Sequence, residues 1–266
     1  MIVYGSRMYG RKNVVRGWGY CEHCGKYGKN TSCNARKWGH LYFIPLIPEG
    51  PRVRVIKDCA KCSNGVSIPE SNVPDVLNDM RRTNESALAA LGAGETQFND
   101  DGTMTPCAEV LAGSIEALYC LNAADYADSI LASLQEHNFT YAHQLALGEL
   151  LEFKGNLDDA AEAYWKAAEA EPSDAYPLIA IGSTHMKRND PAGAVPIYET
   201  ALELSENRFP VLQILLSVYS MTNDHNKVVD TYEECFELVP ELTQDKSVLK
   251  DYRKTCKKAG RDPAHK

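Results

Sequence analysis

The chain has 266 residues, of which 44% are hydrophobic and 24% are charged, and this composition is typical of a globular protein with a sizeable core. No run approaches the ~18 consecutive apolar residues that a membrane span needs. The first residues lack the charged start and long apolar core of a secretion signal. These features argue against a membrane protein or a secreted one, and we expect a cytoplasmic protein without a membrane partner.

The formal charge is unevenly distributed along the chain. Residues 1–66 carry +9, residues 67–245 carry −23 and residues 246–266 carry +6. The chain therefore has a basic head, an acidic body and a basic tail. Such asymmetry indicates separate roles for the three segments or attraction between them.

The head has the composition of a small β domain. Val14-Val15 and Val53–Ile56 are β-branched runs that predict short strands, and residues 37–44 predict another. Helical periodicity is absent from this part of the chain.

Four of the nine cysteines form two C-x-x-C pairs, Cys21 with Cys24 and Cys59 with Cys62. An odd cysteine count with doubled C-x-x-C favours metal binding in a reducing compartment over a disulfide framework. Each pair presents two thiolates, and two pairs complete a closed tetrahedral Zn²⁺ site. The sequence thus predicts one structural zinc ion in a ribbon whose β-hairpin lies between the two knuckles.

Other interpretations of these residues remain open. The pairs could be redox dithiols or could be unrelated. His23 or His40 could replace a ligand, although we expect both to be surface or packing residues. Cys33 is expected to be a spare thiol, and Gly25 and Gly65 to provide the tight turns of the knuckles.

The pattern becomes helical after the head. Pro74 suits the first turn of a helix that runs to about Leu91. Residues 92–104 contain Gly, Asn and Asp in a polar stretch with turn chemistry, and this predicts a linker.

A 34-residue repeat starts at Tyr141 and recurs without gaps. Each copy has an apolar residue and usually a small one in its first helix, and small, aromatic and small residues in its second, which is the pattern of stacked helical hairpins. The turn at residues 154–158 recurs at 188–190 and 222–224. The matching positions are Leu147, Gly148, Leu151, Ala160, Tyr164, Ala167 and Pro172; Ile181, Gly182, His185, Ala194, Tyr198 and Ala201; and Leu215, Leu216, Tyr219, Val228, Tyr232, Cys235 and Pro240.

These patterns predict three domains: a zinc ribbon, a helix with a linker, and a helical repeat region. Before the three clear repeats we expect a degenerate unit with helices at about 107–121 and 123–137, and after them a capping helix with a polar outer face. The predicted bounds are 1–70 for the ribbon, 71–104 for the helix and linker, and 105–266 for the repeats, with units at 107–140, 141–174, 175–208 and 209–242 and the cap at 243–259.

Two stretches of the head resemble a known family. The segment from Trp38 to Pro48, between the two knuckles, is similar to the prokaryotic zinc-ribbon domains that carry an aromatic-rich "FFIPLIP" strand, and Tyr4–Gly10 is similar to the "GxRxYG" start of some members. The resemblance implies a zinc ribbon and no reaction. Many relatives continue into membrane segments, which this sequence lacks.

The repeats resemble tetratricopeptide repeats, so the expected fold class is an α+β multidomain chain: a small β zinc ribbon followed by an all-α tetratricopeptide-like helical solenoid. The resemblance implies a concave groove, lined by the first helix of each repeat, that binds a peptide or protein. Carried over position by position, the implied groove residues are Ala142, Leu145, Glu149, Glu152 and Phe153; Tyr176, Ile179, Ser183, Met186 and Lys187; and Pro210, Gln213, Ser217, Ser220 and Met221.

The groove positions lack the Lys, Arg and Asn set with which chaperone-binding members hold a terminal carboxylate, so we expect an apolar or basic ligand. The sequence has no Gly-rich phosphate loop, nucleophile elbow or H-E-x-x-H motif, so we expect no enzyme. The leading hypothesis is therefore a protein-interaction scaffold with the ribbon as a structural or interaction head.

Two other hypotheses concern the basic head. Its cations and interleaved aromatic residues suit single-stranded nucleic acid. The protein would then be a nucleic-acid-binding or regulatory protein that acts through the basic ribbon. Alternatively, the head docks on the acidic body of the same chain or of a second copy. The identity of the partner, the pathway and the oligomeric state stay open.

Overall fold

A computed structural model describes the backbone of residues 4–41 and 44–265, and the side chains of residues 7–39 and 47–265. The expected fold class is confirmed, because an antiparallel sheet is followed by a series of helices that resembles a tetratricopeptide solenoid. Contacts divide the chain into two compact units, which we name unit 1 (Met1–Ala163) and unit 2 (Tyr164–Lys266).

Four antiparallel strands form the sheet of unit 1, in the order in which they occur in the sequence: β1 (Tyr4–Tyr20), β2 (Tyr27–Leu41), β3 (Ile44–Cys59) and β4 (Val66–Pro69). The first three are much longer than the short strands that the sequence predicts. Register shifts interrupt the pairing of β1 with β2 and of β2 with β3. Such bulges break the alternation of side chains, so the sequence pattern reveals only the regular parts of each strand.

The strand predicted at residues 37–44 is two strands. Residues 42 and 43 lie outside the described residues, and on either side of them β2 ends at Leu41 and β3 begins at Ile44. These two residues pair with each other in antiparallel register. The prolines and β-branched residues after this point therefore belong to the returning strand.

A helix and a hairpin follow the sheet. Helix α1 (Val73–Gly92) matches the predicted helix, whereas the interval predicted as a linker contains the hairpin of β5 (Gln97–Asp100) and β6 (Thr103–Pro106). At its tip, the side-chain oxygen of Asn99 accepts a 2.8 Å hydrogen bond from the backbone N–H of Gly102. The residues with turn chemistry do form a turn, but this turn joins two short strands and is not part of an irregular linker.

Helices fill the rest of the described chain, mostly in pairs. The recurring turn has one residue with positive φ in each repeat: Gly155 at 83°, Asn189 at 62° and Asn223 at 60°. Glycine and asparagine adopt this left-handed conformation most readily and end helices there. The helices are α2 (Cys107–Cys120), α3 (Ala124–Glu136), α4 (Thr140–Lys154), α5 (Leu157–Ala170), α6 (Tyr176–Lys187), α7 (Pro191–Leu204), α8 (Arg208–Thr222), α9 (His225–Leu238) and α10 (Lys246–Ala259).

The small and aromatic repeat positions pack as their types suggest. In unit 2, Gly182 of α6 faces the ring of Tyr198 of α7, and a Cβ at Gly182 would lie 2.6 Å from that ring. Ala194 and Ala201 are completely buried on either side of this tyrosine in the sequence. The repeat therefore places its aromatic ring where the facing helix has no side chain.

Helix α10 closes the end of unit 2. Tyr252 and Cys256 are fully buried and pack with Val229 and Phe236 of α9. Arg261, just beyond α10, forms ion pairs with acidic residues of α9. The outer face of the helix is basic and exposed, as expected for a cap, and carries Lys246, Lys250, Arg253, Lys254, Lys257 and Lys258.

The sheet packs on the helices of unit 1. The ring of Phe153, at the end of α4, lies so close to Gly17 of β1 that a Cβ there would be 2.1 Å from the ring. Trp18 lies against Gly155, where a Cβ would be 2.5 Å from the indole. The hydroxyl of Tyr27 donates a 3.1 Å hydrogen bond to the carbonyl of Glu152.

Gly155 is under two constraints, and Gly155→Ala tests both. Alanine at φ 83° costs about 1 kcal/mol of backbone strain, and its Cβ would overlap Trp18, which adds about 1–3 kcal/mol. We expect the free energy of unfolding to fall by about 3 kcal/mol, measured by urea denaturation.

Gly94→Ala is the matched control, because Gly94 has φ 80° with no atom within 4 Å of a Cβ. Its free energy of unfolding should fall only by the cost of the backbone strain, about 1 kcal/mol. Equal losses in the two variants would contradict the packing of Trp18 on the turn.

Candidate functional site

The four cysteines of the two C-x-x-C pairs meet at one end of the sheet. Cys21 directly follows β1 and Cys24 lies in the turn before β2, while Cys59 ends β3 and Cys62 precedes β4. Antiparallel pairing of β2 with β3 brings the two turns together, because Asn30 pairs with Cys59. Cys24 and Cys59, which are 35 positions apart in the sequence, thus become neighbours.

The two turns have the same backbone structure. The N–H of Gly25 donates to the carbonyl of Cys21 and the N–H of Ser63 donates to the carbonyl of Cys59, both at 2.8 Å. Gly25 and Ser63 each follow their first cysteine by four residues, and both have positive φ, 64° and 55°. Each turn therefore holds its two sulfur atoms on the same side, as a metal knuckle requires.

Gly65 has a different role from the one expected. It does not occupy the left-handed position of the second turn, which is taken by Ser63. Instead, a Cβ at Gly65 would lie 2.8 Å from the carbonyl oxygen of Ile56 and 2.9 Å from the backbone of Asp58. Glycine is needed there because the chain entering β4 passes close to β3.

The sulfur atoms form a compact group. Those of Cys21 and Cys62 lie 3.5 Å apart, those of Cys24 and Cys59 lie 3.9 Å apart, and all four lie within 4.8 Å of one another. A tetrahedral zinc ion with Zn–S bonds of ~2.3 Å sets its sulfurs about 3.8 Å apart, whereas a disulfide needs ~2.05 Å. The geometry is therefore compatible with a metal site and shows four free thiols.

Backbone groups of the second turn favour the thiolate that metal binding requires. The N–H groups of Cys62 and Lys61 point to the sulfur of Cys59 and lower the pKa of its thiol to about 7. The N–H of Lys61 lies 3.4 Å from this sulfur. A thiolate that is stabilised before metal arrives releases fewer protons on binding.

The other candidate ligands do not join the group in the described part of the chain. His23 is exposed within the first turn, and Cys33 is buried with Ala35 and Val55 in a separate small core of the sheet. The backbone of His40 lies in β2, and its side chain is outside the described residues. The cluster consists of the four cysteines predicted from their spacing.

Two of the predicted groove residues, at the end of α4, lie against the sheet. Phe153 has 4% of its surface exposed and Glu152 has 8%, because β1 and β2 cover this face of the helix. Ala142 and Leu145 are also buried, and Glu149 is partly buried. The predicted groove residues of this repeat are thus buried or partly buried within unit 1, and they do not form an open ligand surface.

The predicted groove residues of α8 lie on an open face. Gln213, Ser217, Ser220 and Met221 follow helical spacing and are all exposed or partly exposed, with Met221 at 58%. Pro210, at the start of the helix, is exposed too. In α6 the corresponding residues are partly buried: Tyr176, Ile179, Ser183, Met186 and Lys187.

Much of the head's charge and aromatic surface is used within unit 1. Lys57 forms a 2.7 Å ion pair with Glu116 of α2, and the two side chains are 30% and 26% exposed. Trp18 stacks on Tyr27 with ring centroids 5.9 Å apart. Burial, together with the nearby charges of Glu152 and Glu116, raises the pKa of Tyr27. Docking of the head on helices of its own chain is thus observed in this unit.

A family model of the tetratricopeptide repeat matches residues 175–208, the bounds predicted for the second clear repeat. No match was found among curated proteins. Among solved structures, the MamA protein is 16% identical with a TM-score of 0.44, and the match covers 57% of this chain and 82% of that one. A thermophilic TPR protein of Thermus thermophilus is 15% identical with a TM-score of 0.38, and the match covers 66% of this chain and 98% of that one.

None of the helices in the described segments has the length and apolar character of a membrane span. The family match shows a tetratricopeptide repeat at residues 175–208, which α6 and α7 form.

A double-mutant cycle with Lys57→Met and Glu116→Gln measures the coupling free energy of the ion pair between Lys57 and Glu116. Because the pair is 2.7 Å long and largely shielded from water, we expect a coupling free energy of about 1 kcal/mol in urea denaturation. Glu116→Gln should be the milder single change, since the flexible lysine can reach solvent.

The pair of Lys37 with Glu49 serves as the control, because it is longer, at 3.5 Å, and more exposed. Its coupling should be close to zero. If the coupling free energy at Lys57 were no larger than that of the control pair, this ion pair would not stabilise the docked sheet.

Proposed function

We propose that this chain, which contains a tetratricopeptide-repeat region, is a non-enzymatic scaffold that binds a partner peptide or protein on its repeats. The observation that carries the proposal is the open stripe on α8: Gln213, Ser217, Ser220 and Met221. These residues occupy the positions through which the repeat family binds ligands. The exposed methionine can contact the apolar side chains of an extended ligand. The neighbouring hydroxyl and amide side chains can form hydrogen bonds with the ligand's backbone.

The charge of the chain suggests the charge of the partner. Residues 67–245 carry −23, so the field around the repeats attracts basic partners and repels acidic ones. An apolar segment flanked by lysine or arginine therefore fits both the stripe and the field. We place this activity in the cytoplasm, where free thiols persist.

We also propose that the N-terminal sheet is a zinc ribbon, with Cys21, Cys24, Cys59 and Cys62 as the ligands of one zinc ion. The sulfur spacings of 3.5 Å and 3.9 Å support this assignment. When bound, the ion cross-links the turn between β1 and β2 to the turn between β3 and β4, and it stabilises the folded state. Four sulfur ligands leave no open coordination position, so the role is structural.

The zinc proposal is tested by elemental analysis of the full chain purified under reducing conditions. We expect one zinc ion per chain, and Cys24→Ser should lower both the zinc content and the melting temperature. Cys33→Ala is the matched control, because Cys33 lies in the same sheet but outside the cluster, and it should keep its zinc. A metal-free wild type in zinc-containing medium would contradict the proposal.

The partner surface is tested by affinity purification from the organism's own lysate with four forms of the full chain, which are the wild type, a double variant of the stripe, Thr200→Arg and Cys24→Ser. Ser217→Arg together with Met221→Arg places bulk and charge on the stripe and should remove the partners that the wild type enriches. Thr200→Arg changes an exposed residue on α7 and should leave enrichment unchanged.

The folded state of each variant is compared by circular dichroism before the purification. Partners that survive the stripe variant, or that disappear equally with Thr200→Arg, would contradict a groove on α8. Loss of partners with Cys24→Ser alone would instead assign the interaction to the ribbon.

A further inference from the structure

A second polar feature of unit 1 lies away from the cysteine cluster. It is a cavity of about 400 Å³ between the sheet and the start of α1. The walls combine amide and guanidinium groups with a few apolar side chains. Its lining residues are Asn13, Asn34, Arg54, Glu70, Val73, Pro74, Leu77, Asn78, Arg81, Leu121 and Asn122.

Arg54 is the centre of this cavity's wall and is only 1% exposed. Its Nε donates to the carbonyl of Cys120 at 2.8 Å, and its Nη1 donates to the carbonyl of Asn13 at 2.7 Å and to the side chain of Asn34 at 2.8 Å. These bonds fix the guanidinium plane. They also use only three of its five N–H donors.

The remaining two donors are on Nη2. This atom is buried and has no hydrogen-bond partner among the described residues. A buried guanidinium with unused donors is costly, and burial lowers the pKa of Arg54 because the charged form loses solvation. The two Nη2 donors thus lack an acceptor among the described residues, and Arg54 borders the cavity.

The other charged groups around the cavity leave its potential positive. Glu70 is the acidic residue in its wall, and its two carboxylate oxygens accept hydrogen bonds from Asn34 and Arg52, both at 2.8 Å. Arg81 also lines the cavity, with its guanidinium 4.8 Å from the ring centroid of Tyr126. Two guanidinium groups therefore remain against one carboxylate that is already paired.

Helix α1 adds to this field. It starts at Val73 without a side-chain cap, so the positive end of its dipole lies beside Val73 and Pro74 in the cavity wall. Asp75 in the first turn partly offsets the dipole, but it is not a lining residue.

We propose that this cavity binds a small organic oxyanion, in which a carboxylate or phosphate group accepts hydrogen bonds from Nη2 of Arg54 and pairs with Arg81. The guanidinium is held by three bonds, and its last two donors, both on Nη2, can each make a single charge-assisted hydrogen bond to an oxyanion oxygen. The volume exceeds that of a lone phosphate ion, and Leu77 and Leu121 offer apolar contact, so the oxyanion carries a short carbon skeleton.

Calorimetric titration of the full chain tests the proposal with three probes: glycerol 3-phosphate, succinate and neutral glycerol. Binding of the first assigns a phosphate, binding of the second a carboxylate, and both support the proposal. Absence of heat with both anions at millimolar concentration overturns it and leaves water as the acceptor for Arg54. Heat with glycerol equal to that with the anions also overturns it.

Arg81→Gln and Arg82→Gln form a matched pair of variants on α1. Arg82 is exposed, pairs with Asp79 at 3.9 Å and does not line the cavity. Arg81→Gln should weaken anion binding about tenfold, the effect of losing one charge-assisted contact, and Arg82→Gln should leave it within about twofold. Equal weakening in both variants would indicate unspecific attraction and overturn the site.

Nitrogen-15 NMR of the arginine side chains provides a readout that does not depend on a folded Arg54 variant. The signals of the Arg54 Nη2 protons should shift on addition of the anion that binds, while those of Arg82 stay in place. Shifts at Arg82 without shifts at Arg54 would place the anion elsewhere and overturn the proposal. Arg54→Lys, if folded, should lose binding, because lysine cannot replace the three bonds that fix the guanidinium and also donate to the anion.

Discussion

The ring of Phe153 rests against the backbone of β1 at Gly17, and the arrangement of unit 1 depends on this contact. A fully buried phenylalanine contributes about 2–3 kcal/mol through its removal from water, and the ring reaches the strand only because glycine has no Cβ. Trp18 and Tyr27 extend the contact to the turn after α4 and to the end of that helix. The strands that carry the first cysteine pair are therefore held by the helices as well as by their own pairing.

This contact also decides which part of the repeat surface is open. The family resemblance assigns the same groove role to equivalent positions in every repeat, but the structure treats them differently. In α4 the positions at Glu152 and Phe153 are covered by strands, whereas in α8 the positions at Ser217 and Met221 face solvent. A repeat pattern describes how each hairpin is built. It contains no information about which hairpin a neighbouring domain covers.

The sequence predicts well what is determined locally or by strict spacing. The four cysteines, the helix bounds near Val73 and Gly92, and the repeat of Gly155, Asn189 and Asn223 all follow from residue type and interval. The long bulged strands are predicted too short, since bulges remove the alternation on which strand prediction depends. The hairpin at residues 97–106 is mistaken for a linker because its strands have only four residues each.

Arg54 shows the other limit of prediction from sequence. In a strand between Val53 and Val55 it resembles an ordinary surface cation of a basic head. Its burial arises because α2 lies over β3 and supplies the carbonyl of Cys120, which is 66 residues away. Contacts of this kind depend on the packing of whole elements. The sequence alone therefore leaves open whether the sheet's charge serves outside partners or the chain's own acidic body, although the structure uses much of it in contacts inside unit 1.

The elements outside the repeats have a consequence for assembly. A helical hairpin leaves an apolar face for the next hairpin, and an array that ends on such a face can continue into a second molecule. Here α1 packs on α2, the sheet packs on α2 and α4, and α10 covers α9 with a lysine-rich outer face that repels its own copy. Within unit 2 the apolar face of α9 is therefore covered by α10, and the lysines on the outer face of α10 repel the same face of a second copy.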